Sequence, residues 1–441
     1  MEWLILGTFS ASLLICISLD LSILYALGLG LFLFLMYGRK RGFSWHELIG
    51  MTFDGIKTVR NILITLFLIG VMTAFWKASG TIAVIVCYAS RLIRPSVFLL
   101  MTFLLNSGVS VLTGTSFGTA ATMGVICASI GNSVGISPML TGGAVLSGVF
   151  FGDRCSPVST SALLIADVTE TDIYHNIRLM LHTALIPFLL TCAAYLVLGL
   201  RLPGAGGAVN LEQLFSTEYT LHWLCLLPAV VILVFAVCRV NVRLAMIASI
   251  LSAVPLCMFL QHMPLIGLLN TAVSGYAPQN AAVAALISGG GVVSMLRVTG
   301  IVCLSCSYSD LFRKTGLLTG AKRIIAALER KTTPFTATLV TATVTGLIVC
   351  NQTLTILLTN QLCMERNPER QGFAVDLEDT AAVIPPLIPW SIAGAVPLSS
   401  VGAPATAILV SFYLYLLPLW RELLSWIQSK QTKPSGKAEH T

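Results

Sequence analysis

The sequence predicts an all-α, polytopic integral membrane protein, and three observations carry that prediction. Charged residues make up 10% of the 441-residue chain and hydrophobic residues 56%, against roughly 25% charged in a soluble domain. Long stretches hold no acidic or basic residue: 58 residues between Arg94 and Asp153, then Leu244 to Leu296, Thr332 to Met364 and Thr380 to Trp420. A helix needs about 20 apolar residues to cross a bilayer, so these stretches and their neighbours accommodate roughly 10 to 12 membrane segments. The third observation is the placing of the basic residues in short clusters at Arg39-Lys40-Arg41, Arg239 to Arg243, Arg313 to Lys331 and Lys430 to Lys437. The positive-inside rule puts those clusters, and both termini, on the cytoplasmic side. A net charge of +7 gathered in loops of this kind is a topology signal and does not point to nucleic acid.

From the N-terminus, Met1 to Tyr37 reads as a transmembrane hairpin turning near Asp20. It lacks a basic n-region, so it reads as mature structure rather than a cleaved signal. A basic amphipathic stretch, Gly38 to Arg60, leads into an apolar helix from about Ile62 to Trp76 and a second piece to Ile93. The 58-residue uncharged run follows and holds 10 glycines and 14 Ser/Thr residues. Lipid-facing helices are built of Leu and Ile. Glycine and hydroxyl density suits helices that pack closely, break, or line a polar cavity. Breaks are expected at Gly131-Asn132-Ser133 and before Pro138. A polar stretch from Asp153 to Arg178 precedes a plain span from about Leu179 to Leu200.

Residues 201–219, with Pro203-Gly204-Ala-Gly206-Gly207, form the best linker in the chain. It separates a first repeat, residues 38–200, from a second, residues 220–420, with a basic tail at 421–441. Each half holds a pair of polar signals. Thr113-Gly-Thr-Ser-Phe-Gly-Thr119 precedes Asp153 to Ser161 by about the spacing at which Asn351-Gln-Thr-Leu-Thr355 precedes Pro385-Pro-Leu-Ile-Pro-Trp390-Ser391. Matched, Gly/Pro-interrupted apolar segments in two halves point to inverted-topology repeats, with discontinuous and re-entrant helices and a binding site between them.

Asp153 is the strongest single candidate. A carboxylate near the bilayer centre costs about 2.5–3.5 kcal/mol and is tolerated where it meets water, an ion or a partner. Such a group can carry Na⁺ in one half-cycle and a proton in the other; the plainer alternative is a salt bridge to Arg154. Around Thr113 to Thr119, hydroxyls and freed carbonyls suit a hard cation that prefers oxygen, while close helix packing also explains the small residues. Glu378 and Asp379 read either as a cation or proton relay or as caps of a helix N-terminus. Pro385-Pro386-Leu-Ile-Pro389-Trp390 cannot form an unbroken helix, and a cavity wall is expected there. Asp167, Glu170, Asp172 and His175 read as a solvated loop, and Lys77 as a snorkelling side chain. The 12 cysteines lie mostly singly in apolar segments, which does not favour a zinc site. Cys303 and Cys306 read as packing residues. No nucleophile triad, Walker loop or dinucleotide motif stands out, so an enzyme or an ATP-driven pump fits poorly.

Gly114-Thr-Ser-Phe-Gly118-Thr and Leu140-Thr-Gly-Gly-Ala-Val-Leu-Ser-Gly-Val-Phe-Phe-Gly-Asp153-Arg-Cys-Ser156-Pro157 resemble the signature of the NhaC-type Na⁺/H⁺ antiporters. So do Gly289-Gly-Gly-Val-Val-Ser294-Met295, Lys314-Thr-Gly316, Leu377-Glu-Asp379-Thr and Pro386-Leu-Ile-Pro-Trp390, in order from about residue 40 to 420. The resemblance implies two inverted repeats and exchange of Na⁺ for H⁺ by alternating access across a prokaryotic-type inner membrane. Asp153 would be the chief carrier of ion and proton, assisted by Glu378 and Asp379. Oxygens of Thr115, Ser116, Ser156, Thr160, Asn351 and Thr353 would complete the site. Na⁺ and H⁺ are the coupling ions, with no other cofactor expected; the partners are the bilayer and a small ion or solute, and a homodimer is allowed. The chain departs from the family pattern at Thr160 and after Asn351, where acidic residues are usual, and at Asp310 and Arg313. That leaves a more neutral cavity, and with it the alternatives of a Na⁺- or H⁺-coupled carrier of a small organic acid or amino acid, or of a passive channel.

Overall fold

The computed structural model describes residues 21–57, 60–92, 95–157, 159–202, 211–238, 240–315, 332–364 and 369–431, with scattered positions between 5 and 16. The expected turn at Asp20, the Pro203 to Gly207 linker core, the side chains of Asp310 and Arg313, the basic run from 316 to 331 and most of the C-terminal tail lie outside the described residues. What is described is helical, with one isolated bridge between Tyr276 and Gly289.

The first part comprises α1 (Ile23–Lys40), the amphipathic α2 (Trp45–Lys57), α3 (Arg60–Ala78), α4 (Thr81–Leu92) and α5 (Pro95–Thr113). Next come α6 (Ser116–Thr119), a π-helical turn over Ala120–Gly124, and α7 (Val125–Ser133). Then follow α8 (Pro138–Arg154), α9 (Thr160–Thr169) and the 29-residue α10 (Ile173–Arg201). The second part comprises α11 (Leu227–Val237), α12 (Val242–Pro255), α13 (Leu265–Ser274), α14 (Leu296–Thr315), α15 (Pro334–Val349), α16 (Gln352–Cys363), α17 (Arg370–Asp379), α18 (Ile392–Ser400) and α19 (Phe412–Gln431). Among the described residues, four helices are long and apolar enough to cross a membrane unaided, and the bent pair of Trp45–Lys57 and Ile62–Ala78 makes a fifth. Much of the remaining apolar chain is divided among shorter helices, because it is interrupted where glycine, proline or a capping hydroxyl stands. Within the polar stretch after Asp153 lies α9, whose Ile165 and Ala166 are buried.

Leucines and isoleucines such as Leu185, Leu189, Leu251, Leu265 and Ile266 stand exposed on the outer faces, as a chain solvated by lipid requires. Glycine sets the spacing inside. A Cβ at Gly148 would stand 2.6 Å from Phe103 O, and one at Gly152 2.6 Å from Val111 N and 2.7 Å from Ser107 O, so α8 lies directly on the α5 backbone. Ser110 Oγ donates to Val149 O at 2.6 Å across the same seam. Gly152→Val is expected to lower stability by about 1–3 kcal/mol, towards the upper end because backbone atoms cannot yield as side chains do. Thermal unfolding of the detergent-purified variant checks this.

Candidate functional site

Both halves interrupt a helix in the same way. At the end of α5, Gly114 takes φ +64°, Thr115 is extended at φ −147° and ψ 120°, and its Oγ1 accepts from Gly118 N. At the end of α15, Cys350 takes φ +59°, Asn351 is extended at φ −142° and ψ 129°, and its Oδ1 accepts from Leu354 N. Cys350 performs without glycine what Gly114 performs with it, at a cost of roughly 1–2 kcal/mol for a left-handed L-residue. A second break follows in each half. Ser159 (φ −69°, ψ 135°) caps α9 and Ser391 (φ −76°, ψ 141°) caps α18. A capping oxygen answers one of the N–H groups that a helix start leaves open.

These breaks converge on one cavity of about 690 Å³, lined by Thr115, Ser116, Asp153, Thr160, Asn351 and Thr353 together with Gly114, Gln352 and the first turn of α18. Six of the nine residues expected at the site therefore share one space. The positive ends of the helices that start at Ser116, Thr160, Gln352 and Ile392 face it, each equivalent to about half an elementary charge. Asp153, buried at the end of α8, is the one carboxylate among the described lining residues. Its Oδ1 accepts from Ser159 Oγ at 2.9 Å and its Oδ2 from Ser161 Oγ at 3.3 Å.

The other three residues are elsewhere. Ser156 Oγ donates to Val111 O at 2.7 Å, turned toward α5 and away from the cavity. Asp379 is paired with Arg154, and Arg421 Nε stands 2.8 Å from its Oδ2, close in distance but not aligned as a hydrogen bond. Glu378 is fully buried beside it, and neither of its carboxyl oxygens has a hydrogen-bond partner. Both acids occupy the last turn of α17, so the N-terminal capping expectation is corrected: this is the negative end of the helix, where a carboxylate is disfavoured. Two arginines compensate Asp379 directly, while Glu378 feels Arg154 only through its charge and has no hydrogen-bond donor.

The expected alternative partner of Asp153 is also corrected. Arg154, 1% exposed, points the opposite way: it donates to Thr183 Oγ1 at 2.9 Å and Met180 O at 3.2 Å and pairs with Asp379 of the other half. It is closed to a solute. The cation on the cavity is Arg243, one of a basic cluster whose sequence signal read only as a cytoplasmic loop. Gln352 also lines the cavity, a neutral amide with no sequence signal of its own beside Asn351; its Nε2 donates to Ala382 O at 2.8 Å. The proline-rich run does not form the wall. Trp390 Nε1 donates to Leu347 O at 3.1 Å and Pro386 O abuts Gly394, so the run braces α18 from behind while Ile392, Ala393 and Val396 face the cavity. The polar loop expected around Glu170 and Asp172 holds elements together: Glu170 pairs with Arg370, and Asp172 caps α10 through His175 N.

The pattern of the Na⁺/H⁺ antiporter family matches residues 1–167 and 148–421. The chain belongs to that family. It is a multi-pass membrane antiporter. A malate-2H⁺/Na⁺-lactate antiporter of Bacillus subtilis is 27% identical over 95% of this chain and 90% of its own. The Na⁺/H⁺ antiporter NhaC of the same organism is 29% identical over 88% of each. The arginine/ornithine antiporter ArcD of Halobacterium salinarum is 28% identical over 85% of this chain and 80% of its own. Identity to carriers of such different solutes is nearly equal, so the solute must be argued from the cavity.

Proposed function

We propose that Na⁺ and H⁺ compete for Asp153 in an alternating-access exchange across a prokaryotic-type inner membrane. The carrying observation is that Asp153 lines a cavity into which broken helices of both halves open. Its neighbours there, Thr115, Ser116, Thr160, Asn351 and Thr353, are oxygen donors of the kind a hard cation prefers. A carboxylate that must hold either Na⁺ or a proton cannot hold both, and that exclusion is what couples the two fluxes. Glu378, fully buried and without a hydrogen-bond donor, serves as a second proton-bearing group, since a protonated carboxyl is far less costly to bury than an ion. Asp379 is a counter-charge for Arg154 and Arg421. The matched breaks at Gly114-Thr115 and Cys350-Asn351, and again at Ser159 and Ser391, support inverted repeats over residues 38–200 and 220–420. The basic residues Arg39 to Arg41 and Arg243 support an orientation with the Asp153 cavity and both termini toward the cytoplasm.

A second reading is favoured by cavity size and charge. A volume of about 690 Å³ with Arg243 on its lining lies in the range of small-molecule sites, about 300–1,000 Å³, and exceeds what one cation needs. A small carboxylic acid or amino acid, exchanged with the coupling ions, fits such a space. Proteoliposomes with an entrapped pH dye separate the two readings. Under Na⁺/H⁺ exchange, a Na⁺ pulse alone dissipates a preset pH gradient. A gradient that survives Na⁺, together with Na⁺- or H⁺-driven uptake of labelled lactate or arginine, would transfer the assignment to the second reading.

A further inference from the structure

Three helices run between the Asp153 cavity and a second one of about 390 Å³. α3 contributes Ile62 and Thr65 to the first and Thr73 and Lys77 to the second. The helix that starts at Ser116 contributes Gly118 to the first and Ser129 and Asn132 to the second, and α18 contributes Val396 and then Ser399. At 1.5 Å per residue, Thr65 to Thr73 is about 12 Å and Val396 to Ser399 about 4.5 Å. The plug between them is thin. Gly124 sits in it, where a Cβ would stand 3.0 Å from both Val145 Cγ1 and Val401 Cγ1.

Lys77 is the one charged residue among the described lining of the second cavity. Its ammonium donates to Ser288 O at 2.7 Å, and no described carboxylate pairs with it. A lysine carries three donors, so two remain for the cavity, where Thr73, Ser129, Asn132, Ser294 and Ser399 add neutral polar groups. An ammonium in such a place is unfavourable to an approaching Na⁺ and favourable to an anion. Arg243 holds the corresponding position in the first cavity, so a cation stands at each end of the path.

We propose that the second cavity is the outward-facing binding site of the transport path, and that Lys77 anchors the carboxylate of a small organic solute there. The proposal rests on the second reading, a small organic solute exchanged with the coupling ions, and on the orientation given above, and it adds the residue and the location at which that solute is first held. The competing role for Lys77 is structural, pinning the glycine-rich segment that follows Ser288.

The test uses the full chain in right-side-out vesicles carrying Ser129→Cys, treated from outside with a membrane-impermeant thiol reagent; the wild-type chain with its native cysteines gives the blank. Labelling of Ser129→Cys is expected, slowed by at least one of lactate, succinate and alanine, each compared with equal chloride. Lys77→Gln keeps a donor for Ser288 O but removes the charge. In Ser129→Cys/Lys77→Gln, labelling without solute should persist, while the concentration of carboxylate giving half-protection rises by roughly tenfold or more, the factor of 1.4 kcal/mol. Lys77→Arg should restore protection. No labelling from outside, no protection beyond that of chloride, or unchanged protection in Lys77→Gln would each overturn the proposal. Because labelling needs no turnover, its outcome is separate from the Na⁺-pulse experiment.

Discussion

Asp153→Asn is expected to abolish coupled exchange while the protein still inserts, folds and purifies. The amide oxygen can still accept from Ser159 Oγ, which the carboxylate does at 2.9 Å, and Ser161 Oγ, 3.3 Å from the other oxygen, can turn to accept from the new N–H. The structural loss is then of the order of one neutral hydrogen bond, about 1 kcal/mol. The functional loss is larger. A contact to a charged group contributes about 1.5–3 kcal/mol, so cation affinity should fall roughly 10- to 150-fold at 1.4 kcal/mol per decade. The amide also has no proton to exchange, so the coupled flux should reach background. Glu378→Gln should show a milder defect, because Glu378 lies off the cavity lining and the amide can remain buried in its place. The Na⁺-pulse pH assay, with thermal unfolding run on the same preparations, measures both. A well-folded Asp153→Asn protein exchanging at the wild-type rate would falsify the assignment.

Arg154→Met should be the most destabilising change among the charged residues. Arg154 is 1% exposed and joins the end of α8 to Thr183, the Met180 carbonyl and Asp379, the last 225 positions away in the chain. Removing one partner of a buried ion pair costs about 3–5 kcal/mol because the other charge stays buried. Arg421 remains near Asp379 and Asp376, which should keep the loss toward the lower end. Arg154→Lys should rescue little, since a point charge cannot replace a fork that reaches partners on two sides. Adding Asp379→Asn to Arg154→Met should recover part of the loss, and that recovery measures the coupling between the two halves. Unfolding of the wild type, Arg154→Met, Asp379→Asn, the double variant and Arg154→Lys in one detergent tests this. An Arg154→Met protein as stable as the wild type would show that the pair does not hold the halves together.

The membrane class, the helical content and the positions of the breaks were legible in the sequence, for a local reason. Apolar run length reports how a segment is solvated, and Gly114, Pro138 and the Pro385–Trp390 run report local backbone requirements, whereas the caps Ser159 and Ser391 emerged only in the structure. Asp153 was legible because a carboxylate closing 58 uncharged residues is costly wherever it lies. Thr115, Ser116 and Asn351 followed from the same reasoning about broken helices. Cys350 carried no such signal: its left-handed backbone is imposed by packing, at a position where glycine would have announced it.

Side-chain direction was decided by tertiary structure alone. Asp153 and Arg154 are neighbours in the chain, yet one faces the cavity and the other crosses to Asp379, because successive helical residues point about 100° apart. Ser156, Glu378 and Asp379 looked equivalent to the true lining residues, since composition records that a polar group is present but not what it meets. Arg243 read as a topology signal and Lys77 as a snorkelling side chain, because the letter of a cation is the same in a loop, at an interface or in a cavity. The sequence alone determined the solvent this chain folds in and where its helices must break; which polar groups share a space depended on how the two halves close on each other, through contacts between residues hundreds of positions apart.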